Sequence, residues 1–215
     1  MNYTRTLIGA LILIVIGGAG SFIYKKNWSN DGENGNGTTT PPVTGTTTTP
    51  VVKPPATPTM AVPSLKRPLN FPSTLSAAQR EQIKQRIDNL NAMLKANSDD
   101  FGSWIELGLE RKSINDHEGA RQAWEYAGYI RPKNSLSFGN LGFLYGYVLK
   151  DNKKAEQNYL KAIENDPKMV YLYIQTAEFY RDIIKDITKA RAIVDLGIKN
   201  NPDDDDLKAF RISLN

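Results

Sequence analysis

Few residues of this chain have side chains suited to catalysis or metal binding. The 215 residues include no cysteine and a single histidine, His117. Without cysteine there are no disulfides, thiolate metal sites, cysteine nucleophiles or acylated cysteines. His117 falls in a predicted turn without convergent partners, so we interpret it as a solvated loop residue. No P-loop, dinucleotide fingerprint, G-x-S-x-G or H-E-x-x-H pattern is present. The sequence therefore predicts a protein that is not an enzyme, with no cofactor and no metal.

A run of four aspartates at residues 203–206 is the other candidate for cation chemistry. A calcium loop of the EF-hand type needs a glycine-bearing loop of twelve residues, and none follows the run. Acidic residues at the start of a helix complement the helix dipole. We therefore predict a short terminal helix over residues 203–213, with Leu207, Phe210 and Ile212 available to cover the helices before it.

The distribution of charge argues against a nucleic-acid surface. Residues 1–72 hold 6 Lys and Arg against 2 Asp and Glu, whereas residues 73–215 hold 21 of each class. Phosphate binding needs a clustered positive field. The balanced part of the chain offers none, and we predict no nucleic-acid partner.

The N-terminus carries an apolar stretch of 18 residues without a charge, residues 7–24. As a helix it would be roughly 27 Å long, close to the hydrocarbon thickness of a bilayer. It is either a transmembrane anchor or a secretory signal that is cleaved within the small residues of GGAGS. The apolar residues 22–24 followed by Lys25 and Lys26 favour the anchor.

Residues 27–72 contain nine of the twelve prolines together with many Thr and Gly. Such a composition buries too little apolar surface to offset its ordering entropy, which predicts a disordered linker. The flanking charges barely decide the orientation of the anchor. Because Thr-Pro stalks are typical of envelope and extracellular proteins, we expect the following domain on the extracytoplasmic side of a membrane, or secreted if the N-terminus is cleaved.

From about residue 73 the apolar residues recur at helical spacing. Ser76 and Gln79 form a candidate capping box for a helix over residues 76–96. Beyond residue 72 the only prolines are Pro132, Pro167 and Pro202, each 35 residues from the next. Proline cannot continue a helix, so these three residues predict three helix ends at one period.

Three in-phase units surround these prolines. The first contains Trp104, Leu107-Gly108, Ala120, Trp124, Ala127 and Pro132; the second contains Phe138, Leu141-Gly142, Tyr145, Ala155, Tyr159, Ala162 and Pro167; and the third contains Tyr173, Thr176-Ala177, Tyr180, Ala190, Val194, Gly197 and Pro202. This pattern resembles the tetratricopeptide repeat (TPR), over residues 101–202. Arg111 departs from it, since it stands where the family has a tyrosine. Units two and three each carry one extra residue, which we expect in the turns near Lys150-Asp151 and Lys185-Asp186.

The resemblance implies an all-α protein, a right-handed α-α superhelix of helix pairs whose ends need caps. The predicted segments are an anchor or signal at 1–26, a linker at 27–72, a capping helix at 73–100, units at 101–134, 135–169 and 170–204, and a capping helix at 203–215.

The resemblance also implies a concave groove lined by the first helix of each unit. The groove residues it predicts are Ile105, Leu109, Lys112, Leu136, Asn140, Phe143, Tyr147, Tyr171, Ile174, Glu178 and Arg181. Family members that clamp a C-terminal carboxylate carry Lys and Asn where this chain has Ile105 and Leu109, so carboxylate clamping is not expected. The apolar composition suits an extended or helical hydrophobic peptide instead.

We therefore predict a membrane-tethered scaffold or adaptor that binds a protein or peptide partner in this groove. One alternative is a structural subunit of a cell-envelope assembly, with the groove filled by residues 65–71 or by a second copy in a homo-oligomer. Another is a cleaved, secreted accessory of an enzyme. The sequence leaves the partner, its pathway and the oligomeric state open.

Overall fold

The structure, a computed structural model, describes residues 60–214. They belong to the second of the two units into which the chain divides, Pro55–Asn215. The predicted anchor over residues 7–24 and the linker as far as residue 59 lie outside the described residues. Within residues 60–214, no helix has the length and apolar character that crossing a membrane requires.

The described part of the chain is all-α, with eight α-helices and no strand, which confirms the predicted class. The helices are α1 (Ala77–Ala96), α2 (Phe101–Ser113), α3 (His117–Ile130), α4 (Ser135–Phe143), α5 (Asn152–Asn165), α6 (Val170–Phe179), α7 (Ile187–Asn200) and α8 (Asp205–Ser213). One π-helical turn, Leu144–Leu149, extends α4, and another, Tyr180–Ile184, extends α6. The most extensive packing is between successive helices: α2 with α3, α4 with α5, and α6 with α7.

The start of α1 follows the sequence prediction. The Ser76 side chain accepts a hydrogen bond from the Gln79 backbone N–H, and the Gln79 side chain accepts one from the Ser76 N–H. This reciprocal arrangement is the predicted capping box. The helix then buries Ile83, Ile87 and Leu94 against the rest of the protein.

The three prolines stand where helices end, as predicted. Helices α3, α5 and α7 finish two residues before Pro132, Pro167 and Pro202 respectively. The residue that intervenes in each case has left the helical region of backbone space, as a residue before proline prefers.

The turns inside the three helix pairs have the same two features. Each contains a residue with positive φ, namely Asn115, Lys150 or Lys185. An aspartate comes next and caps the second helix of the pair, because its side chain accepts a hydrogen bond from a backbone N–H three residues later. These aspartates are Asp116, Asp151 and Asp186.

The extra residue of the second and third pairs lies in the last turn of the first helix rather than in the connecting turn. In the first pair the N–H of Asp116 bonds to the carbonyl of Arg111, five residues back. In the other pairs Asp151 bonds to Tyr145 and Asp186 to Tyr180, six residues back. The π-helical turns therefore absorb the added residue, and the turn keeps its conformation.

Small residues let the paired helices approach closely. A Cβ atom added at Gly142 would lie 2.7 Å from the Tyr159 ring, and one added at Gly108 would overlap the Trp124 indole. Trp124 and Tyr159 are both fully buried. Each glycine therefore leaves the space that the facing large aromatic side chain fills.

Two terminal expectations need correction. The ordered domain starts before residue 73, because Leu65, Leu69 and Phe71, in the segment predicted as linker, pack against the core. At the other end, α8 buries Leu207 completely but leaves Ile212 71% exposed. Leu214 takes the covering role expected of Ile212, since it is 3% exposed.

Candidate functional site

All the predicted groove residues lie on the first helices of the three pairs or on the turns that extend them. We call this set the first-helix surface. On α2 it comprises Ile105, Leu109 and Lys112; on α4 and its extension Leu136, Asn140, Phe143 and Tyr147; and on α6 and its extension Tyr171, Ile174, Glu178 and Arg181. Their exposure differs: Ile105 is 4% exposed, Tyr171 is 50% exposed, and the others are part-buried. The Tyr171 side chain is therefore accessible from solvent, and that of Ile105 is not.

A lysine–aromatic contact connects the first helices of the first two pairs. The Phe143 and Tyr147 rings stack, with centroids 4.9 Å apart and planes inclined by 17°. Residues four apart share a helix face, which allows this contact. The Lys112 ammonium from α2 lies 4.8 Å from the Phe143 ring centroid, in cation–π geometry. A lysine side chain thus reaches from the first pair onto the aromatic residues of the second.

Two charged groups of this surface are part-buried without a counter-ion. Burial lowers the pKa of the Lys112 ammonium and raises the pKa of the Glu178 carboxyl, although the nearby Arg181 partly offsets the second effect. Among residues 60–214, neither the Lys112 ammonium nor the Glu178 carboxylate makes a hydrogen bond or an ion pair. Both groups are therefore partly desolvated charges without a direct counter-ion among residues 60–214.

The neighbouring charges of the third pair neutralise each other. Arg181 donates two hydrogen bonds of 2.7 Å to the Asp182 carboxylate. The Arg181 guanidinium also lies 5.5 Å from the Phe210 ring centroid on α8. These contacts hold Arg181 at the end of the surface, so it is less available to a partner than the sequence suggested.

A buried hydroxyl lies behind the aromatic residues. Tyr159 on α5 is fully buried, and its hydroxyl has no hydrogen-bond partner among the described residues. It interacts electrostatically with Tyr147, Tyr171 and Glu178, and burial raises its pKa. Burial also raises the pKa of Tyr147, with Glu178 adding to the effect. Both phenols stay neutral and can donate hydrogen bonds.

Sequence reasoning missed a second cluster, at the turn between α2 and α3. Arg111, noted only as a departure from the family pattern, is 2% exposed and lies 3.2 Å from the Asp116 carboxylate. Arg67 donates to both oxygens of the same carboxylate, at 3.1 and 2.7 Å. Arg111 also donates to the carbonyls of Arg67 and Pro68. We call Arg67, Arg111 and Asp116 the arginine clasp.

The clasp perturbs the acidity of its members. Burial opposes the ionisation of Asp116, but hydrogen bonds from Arg67 and the Gly119 N–H outweigh it and hold the pKa of the carboxyl below its usual value. Burial lowers the pKa of Arg111, and Asp116 opposes that effect. The arrangement fastens residues 67–68 to the α2–α3 turn.

His117 does not lie in a solvated loop as expected. It is the first residue of α3 and is part-buried, and its Nδ1 atom has no partner among the described residues. No group of three or more His, Cys, Asp or Glu residues within residues 60–214 is arranged to hold a metal ion.

An open cleft of about 460 Å³ lies between α3, α4 and α5, apart from the predicted groove residues. Tyr129, Phe138 and Tyr145 line it together with Met60, at the start of the described chain. Two of the lining residues are joined, because the Tyr145 hydroxyl donates a 2.7 Å hydrogen bond to the Glu125 carboxylate. Sequence reasoning gave no indication of this cleft.

No protein-family model matches the chain, and no curated protein matches it either.

Proposed function

We propose that this protein is a non-enzymatic, membrane-tethered TPR scaffold or adaptor that binds a protein or peptide partner on its first-helix surface. The observation that carries the proposal is the row of partly exposed side chains formed by Lys112, Phe143, Tyr147 and Tyr171. Aromatic side chains that remain accessible on a rigid surface are the usual anchors of protein recognition.

The assignment to the TPR family rests on the repeated sequence pattern and on three helix pairs with equivalent parts. Each pair has a positive-φ residue, an aspartate cap and a proline just beyond its second helix. Successive pairs built in this way would stack as a right-handed superhelix, with the first helices on the concave side. The first-helix surface is then the groove.

The membrane part of the proposal rests on residues 7–24 and on the Thr- and Pro-rich residues that follow. An anchor of this length with a stalk would display the helical domain at a distance from the bilayer, on the extracytoplasmic side. Cleavage within GGAGS would instead release the same domain in a secreted form.

The position of residues 65–71 supports an external occupant over a self-filled groove. Arg67, within this segment, pairs with Asp116 at the α2–α3 turn, and Leu65, Leu69 and Phe71 pack against the core. The contacts that hold Arg67 involve Arg111, Asp116 and the Gly119 position, none of which belongs to the first-helix surface.

Photo-crosslinking in intact cells tests the proposal. A photoreactive residue replaces Tyr171, which is 50% exposed on α6, and a control chain carries it in place of Leu160, which is 44% exposed on α5. We expect one dominant foreign protein from position 171 and not from position 160. Crosslinks from 171 only within this chain, or between copies of it, would replace the adaptor with the structural-subunit alternative.

A further inference from the structure

The partner chemistry can be inferred from the charges of the first-helix surface, an inference that rests on the proposed function. Four cations of the described residues lie over aromatic rings: Lys112 over Phe143, Lys154 over Tyr145, Arg181 over Phe210 and Lys189 over Tyr180.

Lys112 differs from the other three in its counter-ion. Lys154 pairs with Asp151, Arg181 with Asp182, and Lys189 with Glu156. Lys112 has no carboxylate partner within residues 60–214, although it is more deeply buried than Lys154 or Lys189. The acidic residue nearest to it in sequence, Glu110, is paired with Arg86 on α1.

Glu178 is the complementary case at the other end of the surface. Its carboxylate is part-buried beside Tyr147, and the closest arginine in sequence, Arg181, is committed to Asp182. A desolvated charge without a partner costs free energy that a counter-charge can offset. The two groups have opposite signs, so one ligand that satisfies both must itself carry both signs.

We propose that the partner presents a segment with an acidic side chain that pairs with Lys112, a basic side chain that pairs with Glu178, and apolar or aromatic side chains between them that lie on Phe143 and Tyr147. The Lys112–Phe143 contact joins α2 to α4, and α4 contacts α6, so at about 8–10 Å a step the distance from α2 to α6 is roughly 16–20 Å. An extended chain covers that distance in about five or six residues. The acidic and basic side chains are therefore separated by about four residues.

The test selects peptides on the purified full-length chain in detergent micelles. The probe is a phage-displayed library of random twelve-residue peptides, and selection runs in parallel on a Tyr147→Ala/Tyr171→Ala double variant. Peptides enriched only on the native chain are synthesised, and their affinities are measured for Lys112→Met, Glu178→Gln and Lys189→Met. Lys189→Met is the matched control, because it removes a cation that lies over a ring but already has a counter-ion.

We expect peptides with one acidic and one basic residue flanking an apolar core. Each of Lys112→Met and Glu178→Gln should weaken binding about tenfold, or about 1.4 kcal/mol, while Lys189→Met should change nothing. Replacing the acidic residue of the peptide with its amide should cost affinity on the native chain and none on Lys112→Met. Neither variant should lower the native urea midpoint much: each removes a part-buried charge without a counter-ion among residues 60–214, which offsets the loss of the Lys112–Phe143 cation–π contact in Lys112→Met.

The outcomes separate this inference from the proposed function. One result would be enriched peptides that need Tyr147 and Tyr171 but bind Lys112→Met and Glu178→Gln as well as the native chain. That result would overturn the proposed pairing with Lys112 and Glu178 and leave the groove as a binding site. Failure to enrich any peptide over the double variant would count against the groove itself, and the proposed pairing would be refuted with it.

Discussion

The arginine clasp allows a sharp test, because the chain contains its own control. Asp116 and Asp151 occupy the same position in successive helix pairs, and each caps its helix by accepting a backbone N–H. The Asp116 carboxylate also pairs with Arg111 and Arg67, whereas among residues 60–214 the part-exposed Asp151 carboxylate has one ion pair, with Lys154. The perturbation is the change of each aspartate to alanine.

The structure gives different magnitudes for the two changes. Loss of an N-cap aspartate costs about 1 kcal/mol, and we expect this for Asp151→Ala. Asp116→Ala also leaves the Arg111 guanidinium, 2% exposed, without its counter-ion. Breaking a buried ion pair by removing one partner costs roughly 3–5 kcal/mol. With a urea m-value of about 2 kcal/mol per molar, the midpoint should fall by about 2 M for Asp116→Ala.

Urea unfolding monitored by tryptophan fluorescence measures this difference. Trp104 and Trp124 lie on α2 and α3 and are at most 1% exposed, so their emission reports the helix pair that the clasp joins. Asp116→Asn keeps a good capping side chain and removes only the charge. We expect Asp116→Asn to destabilise the fold nearly as much as Asp116→Ala does, whereas Asp151→Asn should leave the free energy of unfolding almost unchanged.

Equal costs for Asp116→Ala and Asp151→Ala, within about 0.5 kcal/mol, would refute the reasoning. That result would mean that the Arg111 guanidinium finds water or another acceptor once Asp116 is gone. A changed m-value in one variant would instead indicate that the unfolding is no longer two-state.

The structure supports three further predictions. Because the pKa of Asp116 is depressed in the folded state, its ionisation stabilises the fold at pH values above the unfolded-state pKa of about 3.9. This contribution is lost as the pH falls through the folded-state pKa. The difference in free energy of unfolding between the native chain and Asp116→Asn, measured by urea titration, should therefore shrink below about pH 4. Tyr159→Phe removes a hydroxyl that has no hydrogen-bond partner among residues 60–214, so the urea midpoint should stay unchanged or rise. Tyr173→Phe should cost about 1–2 kcal/mol, because the Tyr173 hydroxyl donates to the Pro167 carbonyl and accepts from the Asn200 amide; equal losses would contradict this. Leu207→Ala should lower the free energy of unfolding by about 2–5 kcal/mol, because Leu207 is fully buried. Ile212→Ala should lower it by less than about 0.5 kcal/mol, because Ile212 is exposed. A large loss for Ile212→Ala would show that Ile212 does cover the helices before it.

Local features of this fold could be read from the sequence because neighbouring residues determine them. The capping box of Ser76 and the helix ends before Pro132, Pro167 and Pro202 depend on backbone groups within a few residues. The helical class follows from apolar spacing, which is also local. The eleven predicted groove residues were chosen by position in the repeated sequence pattern, and all of them lie on the first helices or their extensions.

The tertiary structure decided what depends on residues far apart in the chain. Arg111 is buried because Asp116 and the carbonyls of residues 67 and 68, more than 40 positions away, satisfy its guanidinium. Similarly, the Lys112 ammonium on α2 lies over the Phe143 ring on α4, a contact between residues 31 positions apart that no local pattern encodes. The extra residues entered π-helical turns rather than the connections, since the aspartate cap and positive-φ residue fix each turn. Sequence alone set the helices and their ends; the pairing of charges, which depends on which side chains lose water together, was set by how the helices pack.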